Sequence, residues 1–304
     1  MTVATPLPFV TPNPAPRAAP GEEPDDSRAH AIGHFLRRVR ALTELQIGQI
    51  LAYQRSNSLR FGEAAIALKL ATSDDVLWAL SQQFDYPYAN GDAAPFDAEL
   101  VAATDPFGEG AEAFRELRSQ LLMGVFAEGQ ARRALAVLSP DSGDGRSYFA
   151  ANLAISFSQL GGRTLLVDGD MRTPRQHRLF RVDGEAGLSS ILAGRAEVSV
   201  IHQVPNLPTL FVLPVGTLPP NPLELLQRPA TGLLVQELLT KFDHVIVDTP
   251  AALHGADARI LAARSGAAVL IGRRGRTRIK ALQALLGALA TSQVRMAGVM
   301  LNEH

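Results

Sequence analysis

Residues 134–147 constrain the fold of this chain more than any other stretch, because they read as a strand, a loop and a helix in direct succession. The five apolar residues 134–138 predict a buried strand, and a helix is predicted from Ser147 onward. In the loop between them, Gly143 and Gly145 allow the backbone to curl, so that successive N–H groups and the helix N-terminus converge on an anion. The stretch therefore predicts a phosphate-binding loop.

The side chains of this loop depart from the standard pattern. Arg146 stands where a standard phosphate loop has lysine, and Pro140 occupies the place of its first glycine. Ser147 supplies the hydroxyl that is expected to ligate Mg2+. Taken alone, such a loop is also compatible with an ordinary glycine turn that caps a helix.

Acidic residues at the ends of two further predicted strands favour the phosphate site. Strand 164–167 runs into Asp168 and Asp170, followed by Arg172, and another apolar strand ends in Asp248. In an open α/β sheet, ligands bind at the edge formed by the carboxyl ends of the strands. A helix cap is a common role for one such acid but not for all three. The sequence therefore predicts a nucleotide and metal site at this edge.

Strands and helices alternate after the phosphate loop, which predicts a mainly parallel sheet with helices on both faces. The predicted helices are 109–126, 148–160, 187–192, 223–226, 232–239 and 279–289, and the further strands are 210–213, 245–247, 267–271 and 298–301. We therefore assign residues 108–304 to an α/β phosphate-loop domain.

The chain before this domain has a different organisation. Residues 1–28 are rich in proline and acidic residues and predict a disordered arm. Residues 90–107 contain prolines, a glycine and short side chains, which are typical of a linker. Residues 29–89, between the arm and the linker, are expected to form a small all-α module.

The module contains an internal repeat. Gly33 and Thr43 recur as Gly62 and Thr72, and each copy predicts a short helix, a turn capped by threonine and a second helix. This pattern resembles the N-terminal domain of type II secretion and pilus ATPases, some of which bind cyclic di-GMP through Arg-Leu-Gly motifs. The resemblance makes Arg60, Gly62 and Gly33 candidates for a cyclic di-GMP site. The alternative is a helical docking module with a solvated Arg60.

Composition excludes several classes of protein. The chain has 29 basic and 30 acidic residues, a balance without the electrostatic footprint of nucleic-acid binding. It has no cysteine, which excludes disulfides and cysteine-ligated zinc and fits a reducing cytoplasm. The sequence has neither a signal-peptide pattern nor an apolar run approaching the roughly 18 residues that span a membrane. We expect a cytoplasmic protein, any membrane role of which depends on a partner.

Together, the motifs between residues 112 and 302 resemble the deviant-Walker phosphate-loop ATPases, and within them the bacterial tyrosine kinases of exopolysaccharide synthesis. The resemblance rests on the loop, the Asp-x-Asp-x-Arg and Asp-Thr-Pro motifs, and the Pro-Pro-Asn-Pro sequence at 219–222. The subgroup most similar is the soluble kinase paired with a chain-length-determinant membrane protein. The resemblance implies ATP, Mg2+, tyrosine phosphorylation and an activating cytoplasmic segment from that membrane partner.

The resemblance also implies roles for individual residues. One of Asp168 and Asp170 orients or deprotonates the attacking hydroxyl, and the other has a role at the metal. Asp168 is the preferred base, and the reverse assignment is the alternative. Ser147, Asp168 and Asp248 are the expected metal ligands, and Arg172 steadies a phosphate or pairs with Asp168 or Asp170. The expected nucleotide-binding residues are Ser142, Gly143, Asp144, Gly145, Arg146, Ser147, Tyr148, Arg172 and, at the adenine, Asn302. Arg146 is also counted with the catalytic residues.

A further motif concerns assembly. Glu112, Arg115 and Arg118 are spaced three apart and therefore lie on one face of the predicted helix. They match the ring-assembly motif of the resembled kinases, which implies a homo-oligomer. The alternative is an ion-pair face within one helix.

Two features leave a second function open. Arginine is bulkier than lysine, so Arg146 need not preserve transition-state contacts. The tyrosines are Tyr53, Tyr86, Tyr88 and Tyr148, so autophosphorylation of a C-terminal tyrosine cluster is not expected. The alternative is a nucleotide-binding pseudokinase or switch that regulates a membrane polysaccharide copolymerase without phosphate transfer. A partitioning-type ATPase is disfavoured, because its second loop lysine would fall at Asp141.

Overall fold

The computed structural model describes residues 34–37, 40–83, 96–195 and 199–303. The chain divides into two compact units, and the boundary between them falls between Val76 and Leu77. The predicted arm at 1–28, Gly33 and residues 84–95 lie outside the described residues. The domain boundaries given above therefore stay predictions.

The N-terminal unit is helical. Residues 34–37 are helical, and the helices that follow are α1 (Glu44–Asn57), α2 (Phe61–Ala67) and the beginning of α3 (Ser73–Gln83). Thr43 caps α1, because the amide of Gln46 donates to its hydroxyl and its own amide donates to Gln46 Oε1 at 2.9 Å. Thr72 makes the same exchange with Asp75 before α3. The predicted threonine caps of the repeat are thus confirmed.

The C-terminal unit is built on a seven-stranded sheet with the order β3-β4-β2-β5-β1-β6-β7. The strands are β1 (Ala134–Leu138), β2 (Thr164–Asp168), β3 (His202–Val204), β4 (Leu207–Leu213), β5 (His244–Asp248), β6 (Gly266–Arg273) and β7 (Arg295–Asn302). Neighbouring strands are parallel except β3 and β4. The predicted mainly parallel sheet is confirmed.

Helices cover both faces of the sheet. They are α4 (Val101–Thr104), α5 (Glu109–Met123), α6 (Arg146–Ser158), α7 (Gln176–Leu179), α8 (Leu188–Leu192), α9 (Pro222–Gln227), α10 (Pro229–Lys241), α11 (Asp257–Ser265) and α12 (Ile279–Ala290), with a 3-10 turn at Ala252–His254. Leu135 and Val137 of β1 belong to one apolar cluster, whereas Ala136 and Leu138 belong to another. Every residue of β1 is buried, as expected for a central parallel strand covered on both sides.

Some elements differ from the sequence prediction. The short β3 and the helix α11 were not predicted. Residues 96–104 include α4, and Leu100, Ala102 and Ala103 are buried in the same cluster as α6. This part of the predicted linker therefore belongs to the core of the C-terminal unit, because its apolar residues pack against the helix that follows the phosphate loop.

Candidate functional site

The carboxyl ends of β2, β5 and β1 lie side by side, so the three motifs that follow these strands meet. Asp168 and Asp248 are register partners on β2 and β5, and Val137 of β1 pairs with Asp248. The phosphate loop begins directly after β1. The sheet order thus brings together the three groups that the sequence assigns to one edge.

Two glycines set the path of the loop. Gly143 has a φ of 82° and Gly145 a φ of 95°, in the left-handed region that glycine adopts without strain. A Cβ on Gly145 would also overlap the side-chain amide of Asn302. The buried Asp144 fixes the loop from within, because its carboxylate accepts the amide of Asp141 at 3.0 Å and the hydroxyl of Thr277 at 2.8 Å.

The Arg146 side chain links the loop to the Asp-Thr-Pro motif. It is buried, and its Nε donates to the carbonyl of Thr249 at 2.9 Å. Its terminal nitrogen donates to the carbonyl of Asp141 at 2.7 Å and to the hydroxyl of Ser139. Arg146 therefore holds the first part of the loop against the end of β5, while still lining the cavity described below.

The segment after the Asp-Thr-Pro motif is bonded to the loop as well. The amide of Ala252 donates to the carbonyl of Ser139, and that of Leu253 donates to the carbonyl of Pro140, both at 3.0 Å. His254 Nε2 lies 2.9 Å from the hydroxyl of Ser142. This contact was not predicted, because nothing in the local sequence relates His254 to the loop.

Asp168 is fully buried and is held by backbone amides. Its oxygens accept the N–H groups of Asp170 at 3.2 Å, Arg175 at 3.2 Å and Gln176 at 3.0 Å. Burial, with a further contribution from the charge of Asp248, raises the pKa of Asp168 well above its ordinary value. Asp168 therefore organises the turn that follows β2, which we call the acidic loop (residues 168–176).

Asp170 lies in the same loop but in a different environment. Its carboxylate accepts the amides of Arg172 and Thr173 at 3.0 and 2.9 Å and the hydroxyl of Thr173 at 2.9 Å. Asp170 lines the cavity, whereas Asp168 does not. The two acids, equivalent in the sequence pattern, thus differ in access to a ligand.

Asp248 is a buried acid with one unused oxygen. Its Oδ2 accepts the side-chain amide of Gln176 at 2.8 Å, and its Oδ1 has no hydrogen-bond partner among the described residues. Burial raises the pKa of Asp248 to about 6, although the hydroxyl of Ser147 and the amide of Gln176 partly offset this effect. An unpaired buried carboxylate oxygen is costly unless a cation or a proton meets it.

A cavity of about 850 Å3 opens between the phosphate loop, the acidic loop and residues 98–101. Its volume lies within the range of small-molecule sites, roughly 300–1,000 Å3. The predicted site residues that line it are Ser142, Gly143, Gly145, Arg146, Ser147, Tyr148, Asp170 and Asn302. Asp144, Asp168, Arg172 and Asp248 are not on its surface.

Several residues of the cavity wall were missed. They are Ala98, Glu99, Val101, Thr173, Arg175, Arg178 and Arg273. Arg175 pairs with Glu99 at 2.6 Å, and Arg273 donates to the carbonyl of Gly143 at 3.1 Å. The basic run from Arg273 to Lys280 was the only available signal for Arg273, and it reads more readily as a solvated helix start.

Two predicted residues make further contacts within the chain, and their roles toward a phosphate and an adenine stay predictions. The backbone amide of Arg172 donates to Asp170, whereas its guanidinium Nε donates at 2.7 Å to the buried Asp257 at the start of α11. Asn302 donates to the carbonyl of Asp144 at 3.1 Å and so lies against the phosphate loop. Asp257 could not be identified from the sequence, because it belongs to a helix that was not predicted.

The predicted assembly motif makes contacts within the chain. Arg115 pairs with Glu112 at 2.5 Å on the same helix and also donates to the carbonyl of Pro106. Arg118 donates to the carbonyl of Ser156 at 2.5 Å, which ties α5 to α6. The intrahelical ion pair is therefore present, and the subunit contact remains a prediction.

Two of the predicted cyclic di-GMP residues, Arg60 and Gly62, lie at the start of α2. A Cβ on Gly62 would lie 2.5 Å from a methyl group of Val76, so this glycine is required for close packing of α2 against α3. Arg60 is exposed at the start of α2. Close packing alone therefore explains Gly62, the glycine that matches the Arg-Leu-Gly motif.

Together, these features define a phosphate-loop nucleotide-binding protein of the α/β class. A scan against protein-family models finds no match. Tyrosine-protein kinase YwqD of Bacillus subtilis is 34% identical over 204 residues, which cover 67% of this chain and 85% of that protein. The chain therefore belongs to the bacterial tyrosine-protein kinase family, and the resemblance drawn from its motifs is confirmed.

Other relatives and solved structures agree with this assignment. Tyrosine-protein kinase wzc of Salmonella typhimurium is 32% identical over 206 residues, but the match spans only 28% of that longer protein. The kinase domain of Escherichia coli tyrosine kinase ETK is 31% identical, with a TM-score of 0.63 over 67% of this chain and 79% of that chain. The septum site-determining protein MinD of Pyrococcus horikoshii, 22% identical with a TM-score of 0.50 over 57% of this chain and 71% of that chain, shares the fold.

Among the described residues, no helix combines the length and the apolar character that crossing a membrane requires.

Proposed function

We propose that the C-terminal unit transfers the γ-phosphate of Mg-ATP to tyrosine hydroxyls and thereby regulates exopolysaccharide polymerisation, export and chain length. One observation carries the proposal: the phosphate loop, Ser147, Asp170 and the buried Asp248 meet at one edge of the sheet beside a nucleotide-sized cavity. Membership of the tyrosine-kinase family supports the same activity.

The residues present fit a bound Mg2+. The free Oδ1 of Asp248 and the hydroxyl of Ser147 are oxygen ligands of the kind that Mg2+ prefers, with Asp168 beside them on the next strand. Among the described residues, no three His, Asp or Glu side chains form a complete metal site. This agrees with the usual Mg2+ site of phosphoryl-transfer proteins, in which substrate phosphates and water supply most ligands. When bound, the ion neutralises charge on the phosphates.

The chain's own groups account for binding and orientation. In this proposal the N–H groups of residues 143–147, in the loop and at the start of α6, bind the phosphates, because the helix dipole there favours an anion. Arg146 holds the loop through Thr249 and Asp141 and adds positive charge. Arg273, which lines the same cavity, adds further positive charge. Phosphate transfer depends mainly on such positioning and neutralisation.

Asp170 is the better placed of the two acids to receive the acceptor proton. Each acid accepts three hydrogen bonds within the acidic loop, but Asp170 lines the cavity, whereas Asp168 is fully buried and does not. In the step we propose, the bond between the γ-phosphorus and its bridging oxygen breaks and a bond to the tyrosine oxygen forms. The tyrosine proton passes to the Asp170 carboxylate, and ADP leaves.

We further propose that a membrane chain-length-determinant protein supplies an activating cytoplasmic segment. Under this proposal the chain works at the cytoplasmic side of the inner membrane, as a homo-oligomer assembled through Glu112, Arg115 and Arg118. Both statements rest on the motif resemblance, and the exposed carboxylate of Glu112 is available for exchange between subunits.

The test is transfer of labelled γ-phosphate from Mg-ATP to a glutamate–tyrosine copolymer by the full chain. Asp248→Asn removes one proposed metal ligand, and it should fold normally, because it removes a buried charge whose raised pKa reports a cost to stability. Glu237→Gln, which breaks an exposed ion pair on α10, is the matched control. We expect label on tyrosine with wild type and with the control but not with Asp248→Asn.

A different result would identify the alternative. Saturable Mg-ATP binding by a folded wild-type chain, without label on the copolymer and without label in the presence of the partner's cytoplasmic segment, would contradict the kinase proposal. It would leave a nucleotide-dependent switch.

A further inference from the structure

The segment just before α5 forms one wall of the nucleotide cavity. Leu100, Ala102 and Ala103 of this segment are buried in the apolar cluster that includes α6. Ala98, Glu99 and Val101 alternate with them and line the cavity. The segment thus has one face in the core and one face on the proposed kinase site.

One side chain of α6 and one at the end of that helix hold the backbone of this wall. Asn152 is fully buried; its Oδ1 accepts the amide of Ala102 at 2.9 Å, and its Nδ2 donates to the carbonyl of Glu99 at 2.8 Å. Gln159 donates to the carbonyl of Ala102 at 2.9 Å. Because these bonds lie on both sides of Leu100, they fix the backbone at Glu99 relative to the phosphate-loop helix.

The carboxylate of Glu99 reaches from this wall to the acidic loop. Its Oε1 accepts from the guanidinium of Arg175 at 2.6 Å. The backbone N–H groups of Arg175 and Gln176 donate to Asp168, and the side chain of Gln176 donates to Asp248. The ion pair between Glu99 and Arg175 therefore connects the cavity wall, which Asn152 ties to α6, to the peptide that bonds Asp168 and Asp248.

We infer that Glu99 is a positioning residue of the phosphate-transfer site, which acts through Arg175 to hold the acidic loop against the phosphate loop. This inference rests on the proposed kinase function and adds to it a specific contact. The side chains of Glu99 and Arg175 are 42% and 41% exposed, so the pair contributes little to global stability. The ion pair instead fixes the position of the acidic loop, which matters because small displacements of reacting groups reduce rates strongly.

A second observation places the Glu99 charge at the same wall. Burial, and after it the charge of Glu99, raises the pKa of Tyr148, which also lines the cavity. Glu99 therefore lies within electrostatic reach of the first turn of α6 as well as of the acidic loop.

The experiment compares Glu99→Gln, Arg175→Gln and the exchanged pair Glu99→Arg/Arg175→Glu in the full chain. Glu237→Gln is the matched control, since the Glu237–Lys241 pair is similarly exposed, at 59% and 57%, and lies on α10 away from the cavity. Three quantities are measured: amide hydrogen exchange of peptides covering residues 170–178, Mg-ATP affinity, and phosphate transfer to the glutamate–tyrosine copolymer.

We expect Glu99→Gln and Arg175→Gln to speed exchange in residues 170–178 by about fivefold, because the amides that cap Asp168 lose their support. Transfer should fall by about tenfold while Mg-ATP affinity changes less than about twofold, which separates positioning from nucleotide binding. The exchanged pair should restore both the protection and most of the rate. A purely local structural role would not produce this rescue of rate at constant affinity.

Exchange in Glu99→Gln equal to that in Glu237→Gln would overturn the inference. So would a tenfold loss of Mg-ATP affinity at unchanged transfer rate, because Glu99 would then act on nucleotide binding. If the wild-type chain transfers no phosphate, the proposed function fails, and the exchange data still decide whether Glu99 holds the acidic loop.

Discussion

Replacing Arg146 by lysine restores the residue of a standard phosphate loop, yet the contacts of this arginine predict that the substitution destabilises the C-terminal unit. The Nε of Arg146 donates to the carbonyl of Thr249, and lysine has no donor at that position. The terminal nitrogen donates to Asp141 and Ser139, and lysine keeps a charged donor at the end of its side chain. The substitution therefore removes one bond and keeps the charge.

The magnitude follows from the environment of the bond that is lost. Thr249 is fully buried, so its carbonyl cannot regain a water molecule. A hydrogen bond to a charged donor contributes about 1.5–3 kcal/mol, and a buried acceptor left unpaired costs a similar amount. We expect Arg146→Lys to lower the free energy of unfolding by about 2 kcal/mol. For a unit of this size, that corresponds to a fall in Tm of roughly 4–8 °C.

Scanning calorimetry at equal protein concentration measures this shift. Arg274→Lys is the control, because Arg274 is 70% exposed and pairs with an exposed Glu303. Its Tm should stay within about 1 °C of wild type. A Tm for Arg146→Lys equal to or above that of wild type would refute the assignment of Arg146 as the link between the loop and the end of β5.

Two further predictions concern single side chains. The ring of His244 packs 4.5 Å from that of Phe157, and burial lowers the pKa of His244 below its ordinary value of 6.5. The folded state therefore binds the proton less readily than the unfolded state, so the stability that neutral His244 provides is present above pH 6.5 and is lost as the pH falls. In urea unfolding, the free energy of unfolding should fall less between pH 7 and pH 5 for His244→Phe than for wild type. Equal falls would contradict this prediction. Gly145→Ala forces a residue with a φ of 95° against Asn302, and it should cost about 1–3 kcal/mol in urea unfolding and lower ATP affinity; an unchanged urea midpoint would contradict that account of the loop.

Much of the C-terminal fold was predictable because its signals are local. The strand–loop–helix succession of residues 134–147 depends on neighbouring residues, and it appears in the structure as β1, the loop and α6. The three acids could also be placed together, because parallel strands bring their carboxyl ends to one edge. The order of the strands was not needed for that conclusion.

The partners of charged side chains were not predictable, because they are separated widely along the chain. Arg172 pairs with Asp257 and Arg175 pairs with Glu99, and no pattern in the sequence relates either pair. The difference between Asp168 and Asp170 has a local origin instead. It depends on which of them the acidic loop turns toward the cavity, and the residue pattern does not show this, although the amides that bond Asp168 lie within eight residues of it.

The segment at residues 96–104 shows how a local signal can mislead. Prolines and small residues around it are typical of a linker. Leu100, Ala102 and Ala103 are nevertheless buried, because Asn152 of α6 and Gln159 at its end bond the backbone of this segment. The short apolar run at residues 100–103 can be read from the sequence. Its burial cannot, because burial depends on the helix against which the run packs.

The central claim is that the phosphate loop and Asp248 form a Mg2+-dependent ATP site, and calorimetric titration of ATP into the full chain tests it most directly. Wild type should bind ATP tightly with Mg2+ and at least about tenfold more weakly in EDTA, and Asp248→Asn should lose this dependence on the metal. Binding that is the same in Mg2+ and EDTA, or that is unaltered in Asp248→Asn, would contradict the account.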